Sequence, residues 1–298
     1  MNETTVKLIA LGLYLVLGPV LGCLLGGIDR KISARMQSRI GPPILQPWYD
    51  FRKLLLKENL VVRRSQNFYV FFYLLFMVFT GGLFFMGGDL LLVVFSLTLA
   101  SIFMVLGAYK ASSPYSFLGA ERELLQIMAY EPMLLLVIVG LYMITGSFSV
   151  TDILAFDCTA DTAKIHAPVI LQGAGLFLGL IYILTIKLRK SPFDLSSSHH
   201  AHQELVRGLT TEFSGRAMAA IELAHWYETV LVLGLVYLFL GSCWWLAVPV
   251  VLLVFFLDLV ADNTCSRVKW QMAVKSSWIM AVIFGVGNVL VLDRKSVV

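Results

Sequence analysis

Charged residues are scarce in this sequence: Asp, Glu, Lys and Arg together make up 14% of its 298 residues. Soluble domains average about 25%, so most of this chain's surface is not built to meet water. Cysteine is sparse too. Cys23, Cys158, Cys243 and Cys265 stand singly, with no CxxC pair and no Cys/His cluster at the spacing of a zinc or iron–sulfur site. A redox reaction served by this protein would therefore keep its electron carriers on other chains. The Gly-rich signatures that cradle nucleotide phosphates, P-loop or GxGxxG, are missing as well.

What the chain has is apolar length. Hydrophobic residues reach 58% and the mean hydropathy is +0.82, outside the soluble class. Runs long enough to span a bilayer recur near 6–28, 68–86, 89–109, 122–145, 168–187, 214–240, 243–260 and 276–292. The predicted fold is an all-α integral membrane protein of about eight transmembrane helices, one polytopic domain over 1–298, with no soluble appendage and no obvious internal repeat. The first run is read as a membrane helix and not a cleavable signal, because it is too long, contains Pro19 and several glycines, and lacks a basic segment before it.

Lysine and arginine are unevenly shared among the connections. Nine lie in 29–67, two before the fourth helix, five in 187–216 and three in 261–275, whereas Lys7, Lys164, Arg294 and Lys295 are the four on the other side. Positive residues accumulate on the cytoplasmic side of a membrane. The heavy loops are thus predicted to be cytoplasmic and both termini outside. The net charge of +4 follows from this topology and does not point to nucleic acid.

One basic stretch is amphipathic. In 44–58, Ile44, Trp48, Phe51 and Leu55 line one helix face, with Asp50, Arg52, Lys53 and Lys57 mostly opposite. About fourteen residues give ~20 Å of helix, too short to cross a bilayer. The segment is predicted to lie flat on the cytoplasmic surface, its basic face toward lipid headgroups or a partner protein.

Ionisable side chains within apolar helices are costly and are functional candidates by default. Glu131 precedes Pro132, which cannot donate to the carbonyl of Met128 and should loosen the fourth helix there. A carboxyl beside a freed carbonyl suits water and protons; the alternative is a protonated Glu bonded to a neighbouring helix. Glu121 and Glu123, flanking Arg122, are expected at the cytoplasmic entry of the same helix; the alternative is a merely solvated helix end. In the sixth helix Glu222, His225 and Glu228 follow at intervals of three, and Glu212 and Arg216 are spaced to pair. Acid, imidazole and acid suit stepwise proton transfer, since burial disfavours ionised carboxyls and His titrates near neutrality. The alternative is a polar seam between helices. Asp258, near the cytoplasmic end of the seventh helix, could extend this set, with local capping or pairing the expected role.

The cytoplasmic loop 188–213 is the most polar long connection. Pro192 ends the fifth helix, Asp194 is placed to cap a short following helix, and Glu204 and Arg207 can pair across a turn. His199, His200 and His202 lack the acid or thiol that a metal site would add. A contact surface for a cytoplasmic partner is the expected role.

Several of these motifs occur together, in order, in one known family. Arg39-Ile-Gly-Pro-Pro, Leu45-Gln-Pro-Trp-Tyr-Asp50 and Lys53-Leu-Leu-Leu-Lys-Glu58 resemble a signature of the NADH dehydrogenase subunit 1 family of respiratory complex I. Ala129-Tyr-Glu131, Ser191-Pro-Phe-Asp-Leu195, Glu204-Leu-Val, Thr211-Glu-Phe-Ser-Gly215 and the stretch Asp262–Trp270 with Arg267 extend the resemblance over about residues 12 to 280. The histidine-rich loop and Gly-Pro-Pro resemble more the branch that anchors membrane-bound, energy-converting group 4 (Ech-type) [NiFe] hydrogenases.

The resemblance implies a non-catalytic coupling subunit in the cytoplasmic membrane of a prokaryote, with no cofactor of its own. The [NiFe] centre and [4Fe-4S] clusters would sit on hydrogenase large and small subunits and a ferredoxin-like iron–sulfur subunit, with ferredoxin as electron donor and an antiporter-like membrane subunit moving protons or sodium. Glu131, Glu222 and Glu228 would form an acidic gateway, joined by His225, Glu123 and Glu121. Arg39, Gln46, Asp50, Lys53, Asp194, Glu204, Arg207 and Glu212 would form the interface with the peripheral module. In the alternative branch the chain would be the corresponding membrane subunit of a quinone-reducing, complex I-like NADH dehydrogenase, and quinone would be bound. A free-standing ion transporter would show broken helices in matching halves, and only Glu131-Pro132 fits. A passive anchor would need no buried carboxylates.

Overall fold

A computed structural model describes residues 3–60, 63–156, 169–193, 196, 205–241 and 244–296, all helices and connections with no strand among them. The helices are α1 (Glu3–Met36), α2 (Gln46–Leu56), α3 (Arg64–Phe85), α4 (Leu90–Tyr109), α5 (Pro114–Thr145), α6 (Val150–Phe156), α7 (Val169–Gln172), α8 (Ala174–Lys187), α9 (Gly215–Leu238), α10 (Trp244–Thr264), α11 (Trp270–Met280) and α12 (Gly287–Ser296). A 3-10 turn, Gly208–Thr210, precedes α9, and a π-helical turn, Ala281–Val286, makes α11 and α12 one continuous rod. Among the described residues, α1, α3, α4, α5, α9, α10 and the α11–α12 rod are long and apolar enough to cross a membrane. The chain is a multi-pass membrane protein.

The span expected at 168–187 is divided at Gly173 into α7 and α8. Three other spans are longer than their apolar runs. α1 continues to Met36, because polar partners outside the bilayer hold its last turns: Arg30 pairs with Asp50 at 2.7 Å and Asn263 donates to Ser33 Oγ at 3.1 Å. α5 starts at Pro114, where a missing N–H costs nothing, runs unbroken through Pro132, and stops at Gly146 in the left-handed region (φ 77°). Glu121, Arg122 and Glu123 therefore lie inside α5 and not at its entry. The last span begins at Trp270.

Alternation of the spans gathers the C-termini of α1, α4, α8 and α10 and the N-termini of α3, α5, α9 and α11 at one end. The described Lys and Arg residues other than Lys7, Arg294 and Lys295 belong to it, so it is called the basic end below. The core is closed by α4, α5, α8 and α9, where Leu97, Tyr130, Leu180 and Leu231 are fully buried. α1 and α10 leave rows of Leu and Val exposed, as lipid-facing helices do.

α2 lies across the basic end on a face that differs from the expected stripe. Pro47 is buried, Phe51 packs on Trp226 of α9 with centroids 5.3 Å apart, and Leu54 meets the core. Trp48 and Leu55, expected on the same face as Phe51, remain 49% and 44% exposed. The apolar arc of α2 is wide enough to be split: one edge seats on the protein and the other is left for lipid.

α1 and α9 approach closely at Gly22, where an added Cβ would lie 2.5 Å from the Trp226 carbonyl oxygen. Gly22→Val is expected to lower the unfolding midpoint of the detergent-solubilised protein, at a cost of about 1–3 kcal/mol for overpacking. Gly12→Ala, with nothing within 4 Å, is the control and should leave the midpoint unchanged or raised.

Candidate functional site

Two ion pairs, one buried and one whose cation reaches a cavity, lie where α5, α8 and α9 meet near the basic end. Lys187, the last residue of α8, brings its ammonium to 2.7 Å from Glu228 Oε1 of α9, with only 6% and 4% of the two side chains exposed. The same ammonium donates to the Tyr130 hydroxyl of α5 at 3.0 Å and to Ser101 Oγ of α4 at 3.3 Å, and lies 4.6 Å from the Tyr130 ring centroid. Two residues on, Arg189 donates to Glu123 Oε1 of α5 at 3.0 Å. The other Glu123 oxygen accepts from Ser196 Oγ, and Gln126 donates to the Ile186 carbonyl at 2.6 Å. Taking four charges out of water is costly, and the arrangement persists because each meets its opposite and further hydrogen bonds. Burial alone would disfavour the Arg189 cation, but the facing carboxylates of Glu123 and Glu228 more than offset it and hold its pKa above the usual guanidinium range.

A polar cavity of about 510 Å³ adjoins this network, lined among others by Asp29 and Arg30 of α1, Asp50 of α2, Arg189, Lys190, Arg207, Glu222 and His225 of α9, and Asp262 of α10. At its rim Gln46 Nε2 donates to Asp50 at 2.9 Å, and Lys190 pairs with Asp29. His225 joins the cavity to the buried pair, its Nδ1 3.3 Å from Glu228 Oε2. Imidazole, carboxylate, ammonium and phenol thus form one contacting series from the polar cavity into the core. Such a series can relay a proton or shift charge in steps.

The residues singled out in the sequence divide accordingly. His225 and Glu228 join Glu123 in the buried network, and Glu222 is half-buried on the cavity wall. Glu121 is exposed. Glu131 stands apart, half-buried on the flank of an outward stripe of α5 that includes exposed Met128, Val139 and Tyr142. Asp50 lines the cavity and accepts from Gln46, while Arg39, bonded to Gln37, and Lys53 are exposed. Arg207 lines the cavity, and Glu212 does not pair with Arg216 as their spacing allowed; Arg216 is exposed. Asp194, Glu204, His199, His200 and His202 lie outside the described residues. Among the described residues no group of His, Cys, Asp and Glu is arranged to hold a metal ion. Asp258 neither caps nor pairs: it is buried, and its Oδ2 has no partner.

Sequence reasoning misses Lys187, Arg189 and Tyr130. In the sequence the two cations read as loop charges. Tyr130 is overshadowed by its acidic neighbour, although seven residues, or two turns, place it on the face of Glu123 and put Glu131 about 100° away.

Residues 8–293 match the NADH dehydrogenase family. The H subunit of the NADH-quinone oxidoreductase of Syntrophotalea carbinolica is 30% identical over 334 aligned positions, which cover 98% of this chain and 97% of that protein. The chain belongs to the NADH dehydrogenase subunit 1 family. Hydrogenase-4 component C of Escherichia coli is a relative at the same 30% identity over 282 positions, covering 85% of this chain and 86% of that protein. A chain of the membrane-bound sulfane sulfur reductase, an archaeal respiratory membrane complex, has the same fold, with a TM-score of 0.78 at 23% identity over 95% of this chain and 99% of that one. As a member of this family the chain is a membrane subunit of an oxidoreductase complex of the complex I-like or hydrogenase type.

Removing one partner of a buried ion pair leaves the other charge stranded. Lys187→Met is expected to destabilise the protein by about 3–5 kcal/mol, and Lys187→Met with Glu228→Leu to recover most of that loss. A double-mutant cycle on unfolding midpoints checks it; additive effects would show that the pair is not coupled.

Proposed function

We propose that this protein is the membrane coupling subunit of an energy-converting [NiFe] hydrogenase complex. It links ferredoxin-dependent hydrogen evolution or uptake in partner subunits to translocation of protons or sodium ions. The observation that supports this reading is the character of the cavity. Its wall is rich in charged side chains continuous with the two ion pairs. Water and ions are its natural contents. Hydrogenase-4 component C shows that the family includes a hydrogenase component.

In this reading the [NiFe] centre and [4Fe-4S] clusters belong to hydrogenase large and small subunits and a ferredoxin-like subunit seated on the basic end, which faces the cytoplasm. The exposed cations Arg39, Arg52, Lys53 and Lys57 and the rim of the cavity receive them. A redox event above alters the charge of the cavity, and His225 and Glu228 carry the change to Lys187. An antiporter-like membrane subunit covers the outward stripe of α5, because a carboxyl such as Glu131 is costly against lipid.

The test is the complex that co-purifies with this chain in mild detergent, with its subunits identified by mass spectrometry, its nickel determined and hydrogen evolution from reduced ferredoxin assayed. Nickel, iron–sulfur subunits and hydrogen are expected. A nickel-free preparation that reduces quinone would overturn the hydrogenase reading in favour of a complex I-like dehydrogenase. Within the complex, Glu131→Gln is expected to abolish or uncouple ion pumping with assembly intact; unchanged transport would remove Glu131 from the route.

A further inference from the structure

α10 carries a carboxyl group that the network above does not use. Most of this helix faces outward, with Trp245, Leu246, Leu252 and Phe256 exposed, and the stripe turned to the protein includes Val254, Phe255, Asp258 and Leu259. Asp258 is 1% exposed, and its Oδ2 has no hydrogen-bond partner. Its neighbours on the helix belong to an apolar cluster: Phe255 and Leu259 meet Leu233 of α9 and Leu25 and Ile32 of α1. The charged groups that act on it are Lys190, just beyond α8, and Asp262, one turn along α10. α1 presents Asp29, and α9 presents Glu222 and His225, to the adjoining cavity.

Lys190 is already committed. It pairs with Asp29 and lies 3.6 Å from Asp262, which also accepts the Ser191 N–H at 2.9 Å. An ionised Asp258 would have an unmatched oxygen in an apolar setting, a state strongly disfavoured against the neutral acid. Access to a proton is nevertheless close. Phe255 and Asp262, one turn to either side of Asp258, both line the polar cavity, so Asp258 sits one layer behind its wall.

We propose that Asp258 is a proton-storage site, loaded from the polar cavity through Asp262 on a branch separate from the Lys187–Glu228 pair. The proposal adds to the coupling reading above and rests on it only for the use made of the stored proton. A proton from cavity water first neutralises the Asp262 carboxylate. The O–H bond at Asp262 then breaks as one forms at Asp258, across about 5–6 Å between Cβ atoms at this spacing, through a bridging water. Asp262 regains its negative charge beside Lys190 while Asp258 loses its own in the apolar pocket. The summed charge of the pair does not change in this second step, and each site ends in the state its surroundings favour.

Infrared difference spectroscopy on the intact membrane complex, in lipid vesicles at neutral pH, reads this proton directly. The parent complex is expected to show a protonated-carboxyl C=O stretch that shifts down in D₂O, is absent from Asp258→Asn, and reappears at a displaced frequency in Asp258→Glu. Asp262→Asn is expected to keep the band and slow its hydrogen–deuterium exchange by about 10²-fold, the scale of a lost proton relay. An identical carboxyl region in the parent and Asp258→Asn would overturn the proposal. Should the Asn variant not assemble, an assembled Glu variant without a displaced band would overturn it equally. Exchange unaltered by Asp262→Asn would overturn the loading route. The band is read without turnover. A parent complex that moves no ions therefore defeats the coupling reading while the infrared result still decides Asp258.

Discussion

A charge taken into a membrane-embedded core must meet its opposite there, and the basic end of this protein is organised by that requirement. Lys187 and Arg189 stand at and just beyond the end of a short apolar helix, one facing Glu228 and the other Glu123. The two acids come from different long helices, so satisfying both pairs fixes the end of α8 against α5 and α9 together. Tyr130, Ser101, Ser196 and Gln126 complete the hydrogen bonding. The apolar helices below have no comparable means of choosing a register, because one Leu-rich surface packs on another in many ways.

The same requirement makes the region suited to coupling. A buried pair responds strongly to any nearby change of charge, since little water is present to screen it. His225 touches both Glu228 and the cavity, so a charge change in the cavity has a short contact route to the pair. On the proposed role, that route is how a redox event outside the membrane is felt within it. Separately, the carboxyl of Asp258 lies behind the cavity wall beside an apolar cluster, so one polar cavity adjoins two buried acids of different character.

Much of this is legible in the sequence. The apolar runs mark most spans to within a few residues; the exceptions are α1, which continues to Met36, α5, which starts at Pro114, the last span, which starts at Trp270, and the run at 168–187, which is divided at Gly173. Hydropathy marks where lipid is, whereas helix ends are set by capping and by polar partners outside it. The acids of α9 are visible from their intervals. Their cations are not, because Lys187 and Arg189 close an apolar run and read as loop charges until a tertiary contact gives them partners. Glu131 is the converse case: a motif draws attention to it, and the helical turn places its neighbour Tyr130, not Glu131, on the buried face. α2 reads correctly as amphipathic, yet a stripe of apolar residues cannot say which of its edges meets protein and which meets lipid.

On this reading the Lys187–Glu228 pair carries the coupling and is not only structural. The most direct measurement is the number of ions moved per electron by the complex in sealed vesicles, compared between the parent and an assembled Lys187→Gln variant. Electron transfer is expected to persist in the variant while ion movement falls away. A variant that moves ions at the parental ratio would contradict it.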